Sequence, residues 1–320
     1  MNAAFGALLL RRLAGLAFAL LAAAAAVFAL LEILPGDPAA LILGITARPD
    51  TLAALHHALG LDEPPPLRFL HWLGRFCRGE FGESYTYHVP IATLVNERLA
   101  VSLPLAALAI LFSTALALPL GAFAAARCGG LADRLVLAFT QLGLAVPNFW
   151  LGLLLVLFFS LWLAWLPASG FPGWQAGVGA LRALLLPAVA LALPQAAILA
   201  RITRASLLEV LGAEYIRTAR AKGASERRIL WRHALPNALL PILTLLGLQF
   251  SSLLAGTIII ENVFTLPGLG RLLFQAIAGR DLPVVQTLVV LLAMAVIGVN
   301  FGIDLLQLLV DPRLRRQGER

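Results

Sequence analysis

Residues 100–126, AVSLPLAALAILFSTALALPLGAFAAA, run without one charged side chain. At 1.5 Å per residue a helix of that length reaches about 40 Å, more than the ~30 Å hydrocarbon layer of a bilayer. Inside that layer the backbone has no water to bond, so the run must be a helix or part of a closed barrel. A barrel needs short segments of alternating polarity, and this run is solidly apolar. Comparable runs lie at about 10–33, 135–166, 183–202, 238–260 and 285–309. Charged residues make up only 13% of the chain, against roughly 25% in soluble domains. The expected fold is therefore all-α, a polytopic membrane protein with six transmembrane helices.

Lys and Arg orient the spans. Sixteen of the 24 fall on one side: Arg11 and Arg12, Arg127 and Arg134, the cations from Arg201 to Arg232, and Arg313, Arg315, Arg316 and Arg320. The positive-inside rule puts both termini and the segment 203–237 in the cytoplasm. The first run continues past Leu31, too long for the 7–15-residue apolar region of a cleaved signal peptide. A retained signal-anchor helix is expected, with cleavage in the Ala22–Ala26 run as the alternative. The third run exceeds a straight crossing, and tilt or an outer extension would absorb the surplus.

The chain then divides into 1–34 (N-terminal segment and first span), an outer loop 35–98, a five-helix core 99–310 and a cytoplasmic tail 311–320. The outer loop opens with the turn signal LPGDPA at Leu34–Ala39. Leu52, Leu55, Leu59 and Leu61 suggest a short helix ended by Gly60 and Pro64–Pro66. Leu67, Leu70, Leu73 and Phe76 suggest a second, resting on the membrane surface with Trp72 at the interface.

Several chemistries are excluded. The one lysine, Lys222, is followed by Gly223, whereas a P-loop needs Gly-Lys-Ser/Thr. ATP is not bound that way by this chain. The five histidines are scattered, and the adjacent His56 and His57 diverge on a helix and read as polar surface. Cys77 and Cys128 fall on opposite sides of the bilayer, which rules out a disulfide between them and leaves no metal framework. Asp304 has no identifiable carboxylate partner for aspartyl protease chemistry. Neither a chain of buried acids nor an arginine ladder supports proton- or voltage-driven transport. The net charge of +7 sits on no soluble domain and does not imply nucleic acid.

What remains within the spans is neutral: Gln141, Asn148, Gln195, Gln249, Ser251, Ser252, Thr257 and Asn300. Such groups either hydrogen-bond between helices, at about 0.6–2 kcal/mol each, or line a polar pathway. Gln141, Asn148, Gln195, Gln249 and Ser252 are the candidates for lining. Prolines within the spans (Pro104, Pro119, Pro147, Pro187, Pro194, Pro241) permit kinks and hence a cavity.

The segment 213–237, AEYIRTARAKGASERRILWRHALPN, interrupts this apolar chain with six cations and two acids. A helix is expected from Leu207 to Lys222, with Val210, Tyr215, Ile216 and Ala219 on one face. Gly223 stops it. Ser225 caps a second helix, Glu226 to Leu235, with Ile229, Leu230 and Ala234 apolar and Arg227, Arg228 and Arg232 polar. Pro236 marks the start of the fifth span. The result is a bent cytoplasmic knob, either a topology determinant lying on anionic lipid or a surface shaped for a partner's groove.

This segment resembles the Glu-Ala-Ala loop of inner-membrane permeases in ABC importers, and within them the first-permease type of the dipeptide/oligopeptide/nickel family. The pattern is E-A-A, three residues, G, nine residues, I-x-L-P. Gly223, Leu235 and Pro236 match it. The E-A-A positions hold Arg217-Thr218-Ala219 and the Ile position holds His233, while the run R-T-A-R-A-K-G is common in peptide-type members. The chain is similar to the family throughout: RRL before the first span, LPGDPA, GLDEPPP, FGES at Phe81–Ser84, VPNFWLG at Val146–Gly152, TRASLLEV at Thr203–Val210, ENVFTLPGLGRLL at Glu261–Leu273, RDLPVVQ at Arg280–Gln286 and DPRLR at Asp311–Arg315.

The resemblance implies a type I ABC importer permease fold in the bacterial cytoplasmic (inner) membrane. It implies a second homologous permease, two ATP-binding subunits carrying ATP and Mg, an outer substrate-binding protein, and no cofactor on this chain. Coupling to the ATPases would fall to Tyr215, Arg217, Thr218, Ala219, Arg220, Lys222, Gly223, Ser225, Arg227, Arg228, Leu235 and Pro236. The segment carrying Glu261, Asn262, Phe264, Pro267 and Gly268 is expected to face outward, at the outer mouth or against the binding protein, with a plain surface helix as the alternative. Peptides are the expected cargo. PNFWLG with WLPASGFPGW, and IIIENVF, also resemble nickel-type members, so a metal or metal-chelate importer is the alternative. An ATP-independent channel or secondary transporter is the rival of another class.

Overall fold

The computed structural model describes residues 3–33, 38–43, 48–59 and 61–310. Leu34–Asp37 of the LPGDPA turn, Gly60 and the DPRLR tail lie outside the described residues. The helices, in order, are α1 (Ala3–Ile33), α2 (Pro38–Leu43), α3 (Pro49–Leu59), α4 (Pro65–Cys77), α5 (Ile91–Ala126), α6 (Leu131–Ala145), α7 (Asn148–Leu155), α8 (Val178–Leu211), α9 (Glu214–Ala221), α10 (Glu226–Arg228), α11 (Leu235–Val263), α12 (Leu269–Ala278) and α13 (Leu282–Val310). Among the described residues there is no strand, only an isolated antiparallel bridge between Glu83 and Pro90.

Among the described residues five helices are long and apolar enough to cross a membrane, within α1, α5, α8, α11 and α13. The third apolar run, for which the sequence suggested tilt or an outer extension, is broken. Leu131–Ala145 and Asn148–Trp162 meet at 103°. The cause is local. Pro147 bars Val146 from the helical region, and Val146 is extended at φ −90, ψ 122. After α7 the helix widens into a π-helical turn, Val156–Trp162, closed by Leu163 N–H to Phe158 O at 3.0 Å.

Packing divides the chain into two compact units, Met1–Ala100 with Arg271–Gly298, and Val101–Gly270 with Val299–Arg320. This grouping cuts across the 99–310 core read from the sequence, because the first part of α13 belongs with the N-terminal unit. In that unit α4 lays its aromatic side on α1. Phe28, Phe69, Trp72, Phe76 and Phe81 stack in succession at 5.1–6.3 Å between ring centroids, and Arg68 pairs with Glu32. Trp72 is thus held in an aromatic cluster, while Leu67 and Leu70 are the exposed side of α4.

In the second unit α8 is the central element, and most of its side chains are buried. It continues through Pro187 and Pro194, as α5 does through Pro104 and Pro119. Its neighbours approach closely because they carry glycine at the contact. A Cβ on Gly121 of α5 would lie 2.6 Å from Thr203 Cβ and 2.7 Å from Ala200 O, and one on Gly143 of α6 would lie 2.7 Å from Ala197 Cβ. Small residues at helix contacts are how membrane helices gain packing without a hydrophobic driving force. An apolar core of Val101, Leu105, Leu184, Leu191, Leu253, Ile260 and Phe264 completes this end of the unit.

Gly121→Ala is therefore expected to destabilise the protein by about 1–3 kcal/mol through overpacking. Gly15→Ala, where a Cβ meets nothing within 4 Å, should not. Thermal unfolding of the two variants in detergent checks this.

Candidate functional site: the basic hairpin and the polar interior

The hairpin is built from its turns. Helix α8 does not run on to Lys222, as the periodicity suggests. It stops at Leu211, where Gly212 N–H bonds to Leu208 O and Glu209 O, and Ala213 turns extended to start α9. α9 ends in a Schellman turn. Gly223 has φ +80, its N–H reaches Arg220 O at 2.9 Å, and Ala224 N–H reaches Ala219 O at 3.1 Å. Ser225 Oγ then accepts from Arg228 N–H at 3.4 Å, a long cap. The second helix differs from the expected one. Its first turn passes into a π-helical segment, Ile229–Ala234, which joins α11 without a gap. Leu235 N–H reaches back five residues to Leu230 O. Pro236 has no N–H to donate, and the wide turn accommodates it. Asn237 Nδ2 supplies a donor to His233 O at 2.6 Å.

An ionic fork closes the hairpin. Arg220 Nε and Nη2 donate to the two oxygens of Glu226 at 2.8 and 3.1 Å, and Arg217 pairs with Glu214 at 2.9 Å. The hydrogen bond from Arg220, helped by its charge and opposed by slight burial, holds the Glu226 carboxyl below its usual value of 4.5. A depressed carboxylate adds stability above the unfolded pKa and loses it as pH falls through the folded one. The fork is accordingly intact at neutral pH.

The two sides of the hairpin differ. Ile216, Ile229 and Ala234 are buried. Leu230, Ala234 and Leu235 pack with Leu207, Leu208, Leu211, Ala122, Ala125 and Ala238. Tyr215, Arg217, Thr218, Arg220, Lys222, Ser225, Arg227, Arg228, Trp231 and Arg232 are exposed. Tyr215 thus leaves the apolar face to which the sequence assigned it. Ser225, Arg227, Arg228 and Trp231 line a shallow concavity of about 420 Å³. Trp231 is a member that the sequence reading passed over. It follows Arg227 and Arg228 by four and three residues, the helical spacing that places it on their side.

Of the polar candidates within the spans, Gln195 and Gln249 are brought together. Both are buried, and Gln249 Nε2 donates to Gln195 O at 2.7 Å. Asn148 lies beside Gly256, whose added Cβ would sit 3.1 Å from its Nδ2. Gln141 and Ser252 are exposed on the surface of the chain.

The segment after α11 is not a plain surface helix. Glu261, Phe264 and Gly268 are buried, with Asn262 and Pro267 partly so. Ser102 Oγ donates to Glu261 Oε1 at 2.5 Å and accepts from Leu269 N–H at 2.8 Å. A Cβ on Gly268 would fall 2.2 Å from the Glu261 carboxyl carbon. A buried carboxylate needs donors; Ser102 of α5 supplies one and, by accepting from Leu269 N–H, ties the start of α12 to the same contact. Ser102 gives no warning in the sequence, because a serine in a span reads as filler.

Two further motifs also meet. Asp281, of the RDLPVVQ run, accepts from Ser84 Oγ at 2.5 Å, Thr86 N–H at 3.0 Å and Tyr85 N–H at 3.2 Å, so it pins the FGES turn.

The whole chain has relatives. Residues 117–316 match the family described as binding-protein-dependent transport system inner membrane component, and residues 6–106 match its N-terminal companion. A probable peptide ABC transporter permease protein of Sinorhizobium fredii is 41% identical over 97% of this chain and 99% of that protein. A putative peptide transport system permease protein of Brucella abortus is 42% identical over 97% and 99%. A glutathione transport system permease protein of Salmonella typhimurium is 38% identical over 96% and 98%. The fold matches the MetNI methionine ABC transporter in an inward-facing conformation, with a TM-score of 0.57 and 22% identity over 68% of this chain and 96% of that one. Apolar helices, matched families and full-length relatives agree: the chain belongs to the inner membrane permease components of binding-protein-dependent ABC transport systems.

Proposed function

We propose that this chain is one permease subunit of an ATP-driven importer of peptides, with its termini and the 213–237 hairpin in the cytoplasm. The observation that carries the reading is the two-sidedness of that hairpin. Its apolar side is locked into the ends of α5, α8 and α11, and its other side offers Arg227, Arg228 and Trp231 around a concavity. A partner that grips the exposed side moves the spans with it. To drive a two-state switch from 1:99 to 99:1 takes about 5.5 kcal/mol of differential interaction, so the grip must be firm and the hairpin stiff. The Schellman turn and the Arg220–Glu226 fork supply that stiffness.

The gripping partners are two ATP-binding subunits that hold ATP and Mg. A second homologous permease completes the pathway, and an outer binding protein delivers cargo. Peptide cargo follows from the relatives, which are named for peptide and glutathione transport. Gln195, Gln249 and Asn148 are the groups of this chain closest to forming a neutral polar lining.

Gly223→Val tests the turn. Its Cβ would meet open space, so the change acts only through φ +80, at a cost of about 1–3 kcal/mol. Membrane insertion should persist while uptake by the reconstituted transporter falls. Unchanged uptake would remove the bend from the mechanism.

Charge reversal at Arg227 and Arg228 should cut co-purification of the ATP-binding subunits and make what remains more salt-sensitive. Indifference to the reversal would favour a hairpin resting on anionic lipid.

Orientation is checked by labelling in intact cells, with Cys77 and Cys128 replaced. A membrane-impermeant thiol reagent should label Thr86→Cys and spare Ser225→Cys.

A further inference from the structure

At the cytoplasmic end of the second unit lies an ion pair that neither the hairpin nor the polar interior uses. Asp133 is in the first turn of α6 and is 2% exposed. Arg204 Nε donates to its Oδ1 at 2.5 Å and Nη2 to its Oδ2 at 2.7 Å. Gly129 N–H, in the turn between α5 and α6, donates to Oδ2 at 2.9 Å. Asp133 therefore gathers three donors from two places. Gly129 stands at φ +79, which lets its N–H point back at the carboxylate.

The position of the pair is what gives it meaning. Arg204 sits on α8 one residue beyond Thr203, which presses on Gly121 of α5, and a short way before the Gly212 break that starts the hairpin. Leu207, Leu208 and Leu211 of the same stretch form the apolar floor of the hairpin. On the other side, α6 is a straight rod from Leu131 to Ala145. It is fixed at one end by Asp133, touched midway along α8 through Gly143 and Ala197, and jointed at the other end by the 103° break at Val146–Pro147. A planar fork resists both sliding and rotation, whereas an apolar contact resists mainly separation.

We propose that Asp133 and Arg204 are positioning residues that make α6 a lever. The pair fastens the near end of α6 to the segment of α8 that carries the hairpin. Displacement of the hairpin then swings α6 about Val146–Pro147 and moves Gln141, on the swinging side of that joint, relative to Asn148 on the other side. This deepens the importer reading and rests on it. Without the fork the hairpin still moves under the ATP-binding subunits, but α6 no longer follows in step.

The test is the amount of peptide moved per ATP hydrolysed, measured in proteoliposomes with the full transporter and its binding protein. The variants are Asp133→Asn, Arg204→Lys and the exchange Asp133→Arg with Arg204→Asp. Arg204→Lys keeps the charge and removes the fork. Expected for Asp133→Asn and Arg204→Lys is ATP hydrolysis near that of the parent, with the ratio of transport to hydrolysis reduced roughly 3- to 30-fold, the size of effect seen along coupling networks. The exchange should restore part of the ratio. A merely structural pair would lower the amount of assembled transporter and leave the ratio unchanged. That result, or an unaltered ratio in Arg204→Lys, overturns the proposal. If the parent itself moves peptide without hydrolysing ATP, or moves none, it is the importer reading that fails, and the lever with it.

Discussion

The closeness of α8 to its neighbours is the constraint on which the second unit depends. In a bilayer, lipid is as apolar as leucine, so helices associate only by fitting and by hydrogen bonding. Gly121 and Gly143 remove the side chains that would keep α5 and α6 away from α8. With the backbones that near, Thr203, Ala200 and Ala197 fill the contact. Asp133 and Arg204 come within hydrogen-bonding reach at the rim, and Gln249 reaches the backbone of Gln195 within the core. The Asp133 carboxylate and the Gln249 amide nitrogen thus have their partners by geometry, not by chance collapse.

Stiffness and breakage alternate along the chain, and function uses both. The helices carry proline without breaking where neighbours surround them, as at Pro187 and Pro194 in α8. At Pro147 the preceding residue turns extended and the helix breaks outright. The π-helical turns at Val156–Trp162 and Ile229–Ala234 sit on either side of this contrast. Each inserts one residue's worth of twist, and such turns favour functional sites. In the hairpin Ile229 and Ala234, five residues apart at the two ends of the wide turn, both reach the buried side. An importer's permease needs such a mixture: rigid bodies to carry a push and defined joints at which to yield.

Much of this was legible in the residues. Apolar runs located the spans, though α5 begins nine residues before 100 and α8 runs nine residues past 202. Gly223 and Ser225 announced the turn and cap of the hairpin, and the prolines marked where breaks were allowed. The misreadings have physical causes. ENVFTLPGLGR looks like an amphipathic surface element because it carries a glutamate, but Ser102 from a distant helix provides that glutamate with a buried donor. The helix expected from Leu207 to Lys222 stops at Gly212 because the carbonyls of its last turn find their donors there. Tyr215 was assigned to the apolar face on a register that assumed no break.

Sequence alone determined what the solvent demands: six apolar runs long enough for a bilayer, cations sorted to one side, and a glycine where the backbone must turn left-handed. These are local properties, set by transfer energies and φ, and each can be read from a short window. Only the tertiary structure decided which prolines break a helix and which polar residues meet. Asp133 and Arg204, Ser102 and Glu261, and Ser84 and Asp281 are each far apart in the chain. Each pairing exists because packing brought two distant elements together, and no window of the sequence contains that information.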